Sequence, residues 1–347
     1  MQLPRGDFAD VPSTCAGGEQ PLFTVRVTNF ADGTSALGIA APHSLMDGKS
    51  LFGVVSAIAQ AHAQGGRFDG VRVPDFDGAR AWEESTKSLN VDSEPTLWVP
   101  VRLLEWTHPV WALAMQRLDA ILPRAKVHLT HGELDELKSA VGGALGGKVA
   151  CTSNEALSAA LLHTLAKSPS GPFSAGLPGT VRMVVNAQGK GLFSGVDNVA
   201  GNFSWMVDDR TPKPPNEMSI TEAAHFFCGL GKKWRDPATA ATCVKEFAIF
   251  QRVQDVKGWL WEQTDSIENT LFLNNQIGMP MARIRFCKGT LLGFHPWHSH
   301  QHVQIVEAPT EPGAKRLAGG VDVYLPMDFS PLLGTDAFKK QLLCGWQ

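Results

Sequence analysis

The chain has 347 residues, 31 Lys and Arg against 34 Asp and Glu, a formal net charge of -3 and 44% hydrophobic residues. This is an ordinary soluble composition with ample material for a core, and at roughly 100 to 200 residues per domain it implies two domains. There is no basic block and no apolar run near the ~20 residues of a bilayer span, so the chain reads as neither a nucleic-acid binder nor a membrane protein. Met1 to Asp7 lacks an apolar stretch behind a basic one and does not read as a signal peptide. The six cysteines (Cys15, Cys151, Cys228, Cys243, Cys287, Cys344) are scattered, with no Cys-x-x-Cys pair. They read as reduced, mostly buried thiols of a cytoplasmic protein.

Residues 21–30 (PLFTVRVTNF) predict a strand rich in β-branched and aromatic residues, closed by the turn Ala31-Asp32-Gly33. A second strand, Ser35 to Ala41, leads to His43-Ser44-Leu45-Met46-Asp47-Gly48. After Gly48 the spacing of Leu51, Phe52, Val54, Val55 and Ile58 predicts an amphipathic helix to about Gln64, stopped at Gly65-Gly66. Residues 67–97 are polar and read as a long surface excursion. Val127 to Thr130 predicts a short strand, and Glu133 to Val141 a helix running into a Gly-rich linker at 142–147. Thr152 followed by Glu155 is a capping box that opens a helix through about Lys167. Further strands are expected at Thr180 to Asn186 and Gly201 to Val207, a Pro-rich connector at 210–216, and helices at about 219–231 and 239–261. The last quarter reads as strands at Met281 to Phe286, His302 to Val306 and Val321 to Leu325. Strands and helices mix without strict alternation, which favours an α+β fold.

The histidine stands where a strand ends and a helix begins, the place where catalytic side chains cluster beside clefts. Its unperturbed pKa lies near neutral pH. Gly48 lets the chain bend away after the loop. Asp47 can then fold back and hold the loop, through an arginine or a backbone N–H. The segment offers no nucleophile, and no Gly-x-Ser-x-Gly elbow occurs. The chemistry suggested is general-base catalysis: a neutral imidazole takes a proton from a hydroxyl or amine as it attacks an electrophile.

These residues resemble the His-x-x-x-Asp-Gly signature of the BAHD-type acyltransferases of plants and fungi, which use acyl-CoA donors. The resemblance covers roughly residues 20–330 in family order. It runs through the strand pair before His43, KVHLTHGELDELKSAV, TSNEALSAALLHTLAK, VRMVVNAQGKGLFSGVDNVAGNFSW, NNQIGMPMARIRFCKG and GGVDVYLP. The departures are specific. The family's Asp-Phe-Gly-Trp-Gly falls on Arg285 to Gly289, where only Phe286 and Gly289 persist, as structural residues. Its Thr-Ser-Trp falls on Asn274, Asn275 and Gln276, whose amide NH₂ groups can also donate hydrogen bonds to an oxyanion. Its Asn-x-Arg-x-Arg strand falls on Asn186 to Lys190, which leaves Arg182, Arg283 and Arg285 as candidate partners of Asp47. Family members carry on the order of a hundred more residues before the histidine motif. A missing half-domain would expose strand edges.

The resemblance implies a two-domain, chloramphenicol acetyltransferase-like α+β architecture with an incomplete N-terminal domain. Residues 1–120 would be the remainder of that domain and 121–347 the C-terminal domain. It implies transfer of an acyl group from acyl-CoA, a co-substrate rather than a bound cofactor, to a small-molecule alcohol or amine. His43 would be the base, Asp47 the orienting residue and Asn274 to Gln276 the oxyanion donors. No metal is needed and the protein would be a monomer. Three alternatives stand beside it. A condensation-type domain of the same superfamily carries two adjacent histidines, where this chain has Pro42. A non-catalytic relative would serve as a scaffold. A metal protein would be built on residues 295–302, where His298, His300 and His302 would share one face of a strand, with Glu307 as the only nearby carboxylate. Trp106, Trp111, Trp259 and Trp261 are expected on apolar helical faces, as core residues.

Overall fold

The computed structural model describes residues 23–41, 45–88, 98–100, 125–147, 150–168, 172–173, 176–189, 193–239, 241–242, 245, 259–261, 269–286, 289–294, 302–311, 313–325 and 335–344. His43, Trp106, Trp111 and His295 to His300 lie outside them.

The first elements are the antiparallel strands β1 (Thr24–Asn29) and β2 (Ser35–Ala40), joined by a turn in which Gly33 has φ +81°. Among the described residues no third strand joins this hairpin, and Val25 and Val27 on one of its faces are exposed. Helix α1 (Gly48–Ala63) follows and ends before Gly65 and Gly66, both at positive φ, a conformation that costs glycine little. Residues 67–97 are more than a surface excursion: they contain helix α2 (Gly78–Thr86). Its buried Trp82 stacks on Phe203 and meets Phe193 edge-on, and the three rings anchor a small second core.

A six-stranded mixed sheet forms the larger part of the molecule. Its strands are β4 (Ala125–Leu129), β5 (Thr180–Asn186), β6 (Ser204–Arg210), β8 (Thr270–Asn275), β9 (His302–Glu307) and β10 (Val321–Leu325), in the order β4-β10-β9-β8-β5-β6. The pairs β8/β9 and β8/β5 are parallel and the others antiparallel. Helices α3 (His131–Ala144), α4 (Ser153–Ala166), α5 (Ile220–Arg235) and α6 (Thr335–Cys344) accompany the sheet. Every residue of α4 from Glu155 to Ala166 is buried. A helix apolar on all sides belongs inside a core, and α4 packs against α3, α5, α6 and β8. Capping boxes open α3 (Thr130 with Glu133), α4 (Thr152 with Glu155) and α5 (Ser219 with Glu222), each satisfying backbone donors that the helix itself leaves free.

Three sequence expectations need correction here, and one strand was not expected. The stretch 142–147 is not a linker: α3 runs to Ala144, Leu145 enters the core, and Gly146 and Gly147 end the helix at φ +68°. Trp259 and Trp261 sit on strand β7 (Trp259–Trp261), paired with β3 (Trp98–Pro100), and not on a helix. A short apolar run has no period that separates the two states. Met281 to Phe286 is not a strand, because Pro280 opens a 3-10 turn over Pro280–Arg283; proline presets φ there and needs no N–H partner at that position. Strand β8, absent from the sequence reading, lies between β9 and β5 inside the sheet.

His163 on α4 is buried, and its Nδ1 donates to the Met218 carbonyl at 3.1 Å. Among the described residues Nε2 has no partner. Burial, helped by Lys167, holds the ring below the ordinary histidine pKa. The unfolded chain therefore binds this proton more readily than the folded one. Its stabilising contribution is complete above the unfolded pKa of ~6.5 and is lost as pH falls through the lower folded pKa. Urea midpoints measured from pH ~7.5 to ~5.5 should fall more steeply for the wild type than for His163→Gln.

Candidate active site

Asp47 is the residue around which the site is built. It is 1% exposed and forms the N-cap of α1. Its Oδ1 accepts the Ser50 N–H at 2.9 Å. Its Oδ2 accepts the Asn186 amide at 2.7 Å, the Phe203 N–H at 2.9 Å and the Ser204 hydroxyl at 3.1 Å. The Asp47 N–H in turn donates to the Gly201 carbonyl at 3.1 Å. A buried carboxylate is tolerable when donors surround it, and the positive end of a helix adds to their effect.

The partners come from strand register. Asn186 and Ser204 are opposite residues at the ends of β5 and β6. Asn186 Oδ1 accepts the Gln188 N–H at 3.0 Å, which leaves its NH₂ directed at Asp47 and Ser204. The turn at 200–203 is fixed from several sides. Ser50 Oγ donates to the Gly201 carbonyl at 2.8 Å, Trp82 Nε1 donates to the Asn202 carbonyl at 3.2 Å, and Gly78 packs so closely on Ala200 that a Cβ there would lie 2.7 Å from its carbonyl oxygen. The expected strand Gly201 to Val207 therefore begins only at Ser204, because its first residues cap α1 instead.

No arginine among the described residues pairs with Asp47. Arg182 makes a buried two-point pair with Asp208, at 2.9 and 2.7 Å. Arg285 donates to the carbonyls of Ala282, Ile284 and Thr310, and Arg283 is exposed. Of the two means of holding the loop weighed from the sequence, the backbone N–H is present and the arginine is replaced by an asparagine and a serine. Ser204 carried no signal of its own in the sequence; only the β5/β6 register brings it here.

The amides from 274 to 276 separate. Asn275 donates to Asn154 at the start of α4 and accepts the Ile277 N–H, so its side chain is engaged. Asn274 is half-buried and pairs in register with Gln304 of β9. Gln276 comes to the motif: its Nε2 lies 4.0 Å from where a Gly48 Cβ would stand. Met279 sulfur and methyl lie closer still, so Gly48 permits this approach. The parallel pairing of Met183 with Leu273, carried on by the same offset, brings Asn186 and Gln276 to one level at the carboxyl ends of β5 and β8. Phe286 meets His62 edge-on near the end of α1, and Gly289 closes a turn onto the Phe286 carbonyl. Glu307 accepts the Gly278 N–H and Arg316 Nε and is committed to them. A surface cleft lined by Asp75, Arg80, Glu84 and Val196 lies behind the 200–203 turn and contains none of these groups.

Residues 10–166 match the model of the Transferase family. The fold is similar to that of TRI101 from F. graminearum complexed with coenzyme A and deoxynivalenol (TM-score 0.62, 14% identity, covering 99% of this chain and 72% of that one). It is also similar to TRI101 from F. sporotrichioides complexed with coenzyme A and T-2 (0.56, 16%, 94% and 69%) and to vinorine synthase (0.59, 12%, 92% and 65%). No curated protein sequence matches the chain. The fold is thus the two-domain α+β architecture of the CoA-dependent acyltransferases. The chain resembles the BAHD-type family in the match of residues 10–166 and in its fold.

Removing one donor from Asp47 exposes how much the anchor contributes. Asn186→Ala should cost about 1.5–3 kcal/mol, the range for a hydrogen bond to a charged group. Asp47→Ala should cost more, since it also removes the helix cap. In a double-mutant cycle read by urea unfolding, the two losses should fall well short of additive.

Proposed function

We propose that this protein transfers an acyl group from acyl-CoA to a small-molecule alcohol or amine. The observation that carries the reading is the fastening of the His-x-x-x-Asp-Gly loop through Asp47 to the ends of β5 and β6, with Gln276 arriving beside it from β8. The Transferase family match spans the motif, and the similar folds include proteins solved with coenzyme A, which supports the donor. Those structures also hold T-2 or deoxynivalenol, so these two compounds are the first acceptors to try on this chain.

In this reading residues 1–120 and 121–347 are the two domains and the substrates meet between them. His43, four residues before Asp47, takes the acceptor's proton as its oxygen or nitrogen attacks the thioester carbonyl. Gln276 Nε2 donates to the oxyanion that forms, while Asn275, held by Asn154, fixes the strand end that carries it. The tetrahedral intermediate collapses by breaking the C–S bond. His43 returns its proton to the departing CoA thiolate, so the enzyme ends as it began. Donor and acceptor are bound together and no acyl-enzyme forms. Asp47 orients the loop and takes no part in proton transfer. Neither step calls for a metal.

Acetyl-CoA offered with a panel of alcohols and amines should release free CoA thiol, followed with a thiol reagent. His43→Ala should lower this rate by about 10²–10⁴-fold, the span of a general base. An unchanged rate would remove His43 from the mechanism, and CoA binding by calorimetry without turnover would instead identify a non-catalytic relative. Gln276→Ala should lower kcat by about 10²–10³-fold with little change in KM, as expected for a donor that acts on the transition state.

A further inference from the structure

Cys151, Glu155 and Cys228 form a second cluster, separate from the motif. Their two sulfurs and a carboxylate oxygen all lie within 4.8 Å of one another. Cys151 stands just before Thr152, the N-cap of α4; Glu155 is in the first turn of that helix; Cys228 lies in the middle of α5. Residue exposures are 8%, 5% and 3%, so the three groups face each other in the seam between two helices. Gly231, one turn beyond Cys228, opens the seam: a Cβ there would collide with Glu155 Oε1. Arg235 donates to the same oxygen at 3.0 Å. The Cys151 thiol points at the Thr152 carbonyl at 3.5 Å.

We infer that Cys151, Cys228 and Glu155 are a binding site for a thiophilic divalent metal ion, with Zn²⁺ the expected occupant and a fourth position left to water or another small ligand. Two thiolates and a carboxylate are donors such an ion accepts. Tetrahedral coordination at ~2.3 Å per sulfur needs sulfurs about 3.8 Å apart, which modest side-chain rotation reaches from the observed spacing. As the ion enters, each thiol gives its proton to solvent and its sulfur coordinates. The charge count closes in both states. Without the ion, two neutral thiols sit beside a Glu155–Arg235 pair that cancels. With it, the two thiolates offset the ion and the pair still cancels. A buried cluster neutral in both forms avoids the penalty of an unpaired charge.

Bound there, the ion would tie the start of α4 to α5. Asn154, between the two α4-side ligands, is the residue that holds Asn275, so the tie lies close to the strand end bearing Gln276. The inference does not depend on acyl transfer.

The test is titration of the reduced, chelator-treated full chain with Co²⁺ under inert gas. One equivalent should produce a thiolate-to-cobalt charge-transfer absorption that one equivalent of Zn²⁺ abolishes. Cys151→Ala and Cys228→Ala, which keep small apolar side chains in the seam, should each weaken binding at least tenfold. Glu155→Gln, which preserves the capping box, should weaken it by a smaller factor. His298→Ala should leave the absorption unchanged. Absence of the absorption, or its survival in the double cysteine variant, would overturn the assignment. Should the variants fail to fold, X-ray absorption of the zinc-loaded wild type decides the matter. Two sulfur neighbours support the site, and a shell of nitrogen and oxygen alone refutes it.

Discussion

The Asp47 carboxylate gathers three separate parts of the chain at one point. Ser50 belongs to the helix that Asp47 caps, Asn186 lies 139 residues onward, and the Phe203 N–H lies 156 residues onward. All of its donors are neutral. The negative charge is held by dipoles, including the first turn of α1, and not by a cation. A guanidinium would supply charge from a long side chain. Asparagine and serine instead supply short, directed donors, whose positions are set by the ends of β5 and β6. Asp47 and the start of α1 thereby inherit the rigidity of the sheet.

That rigidity comes from the main core. Helix α4 is buried on all sides, and its neighbours on the sheet side are strands whose inward residues are fully covered. Parallel pairing of β5 with β8 sends both strands toward the same end of the sheet, so Asn186 and Gln276 arrive there together. The segment after Gln276 then turns back over α1. Met279, Met281, Phe52 and Phe294 pack with Val306 and Tyr324, whose hydroxyl donates to the Phe294 carbonyl at 2.7 Å. Phe286 rests edge-on against His62 near the end of α1.

Much of this was legible along the chain. The Thr152–Glu155 capping box, the helix after Gly48 and the strand Thr180–Asn186 all depend on neighbours within a few residues, and local spacing reveals them. The misses share a cause. TLFLNN and WLW are short apolar runs with no decisive period, and only pairing partners far away in sequence make them strands. MPMARIRF carries strand-like residues, but Pro280 and the approach to α1 impose a 3-10 turn. The turn at 200–203 looks like the start of a strand until α1 claims its polar groups.

The sequence by itself set a histidine and a carboxylate four residues apart, between a strand-like run and a helix-like run, in a chain of α+β character. These are properties of residue type and short spacing, and no fold is needed to see them. The tertiary structure alone decided what holds Asp47, which of three adjacent amides reaches the motif, and that two cysteines far apart in sequence face one another across a helical seam. Each of those outcomes rests on strand register or helix packing between distant segments, where a shift of one residue would turn the side chain to the opposite face.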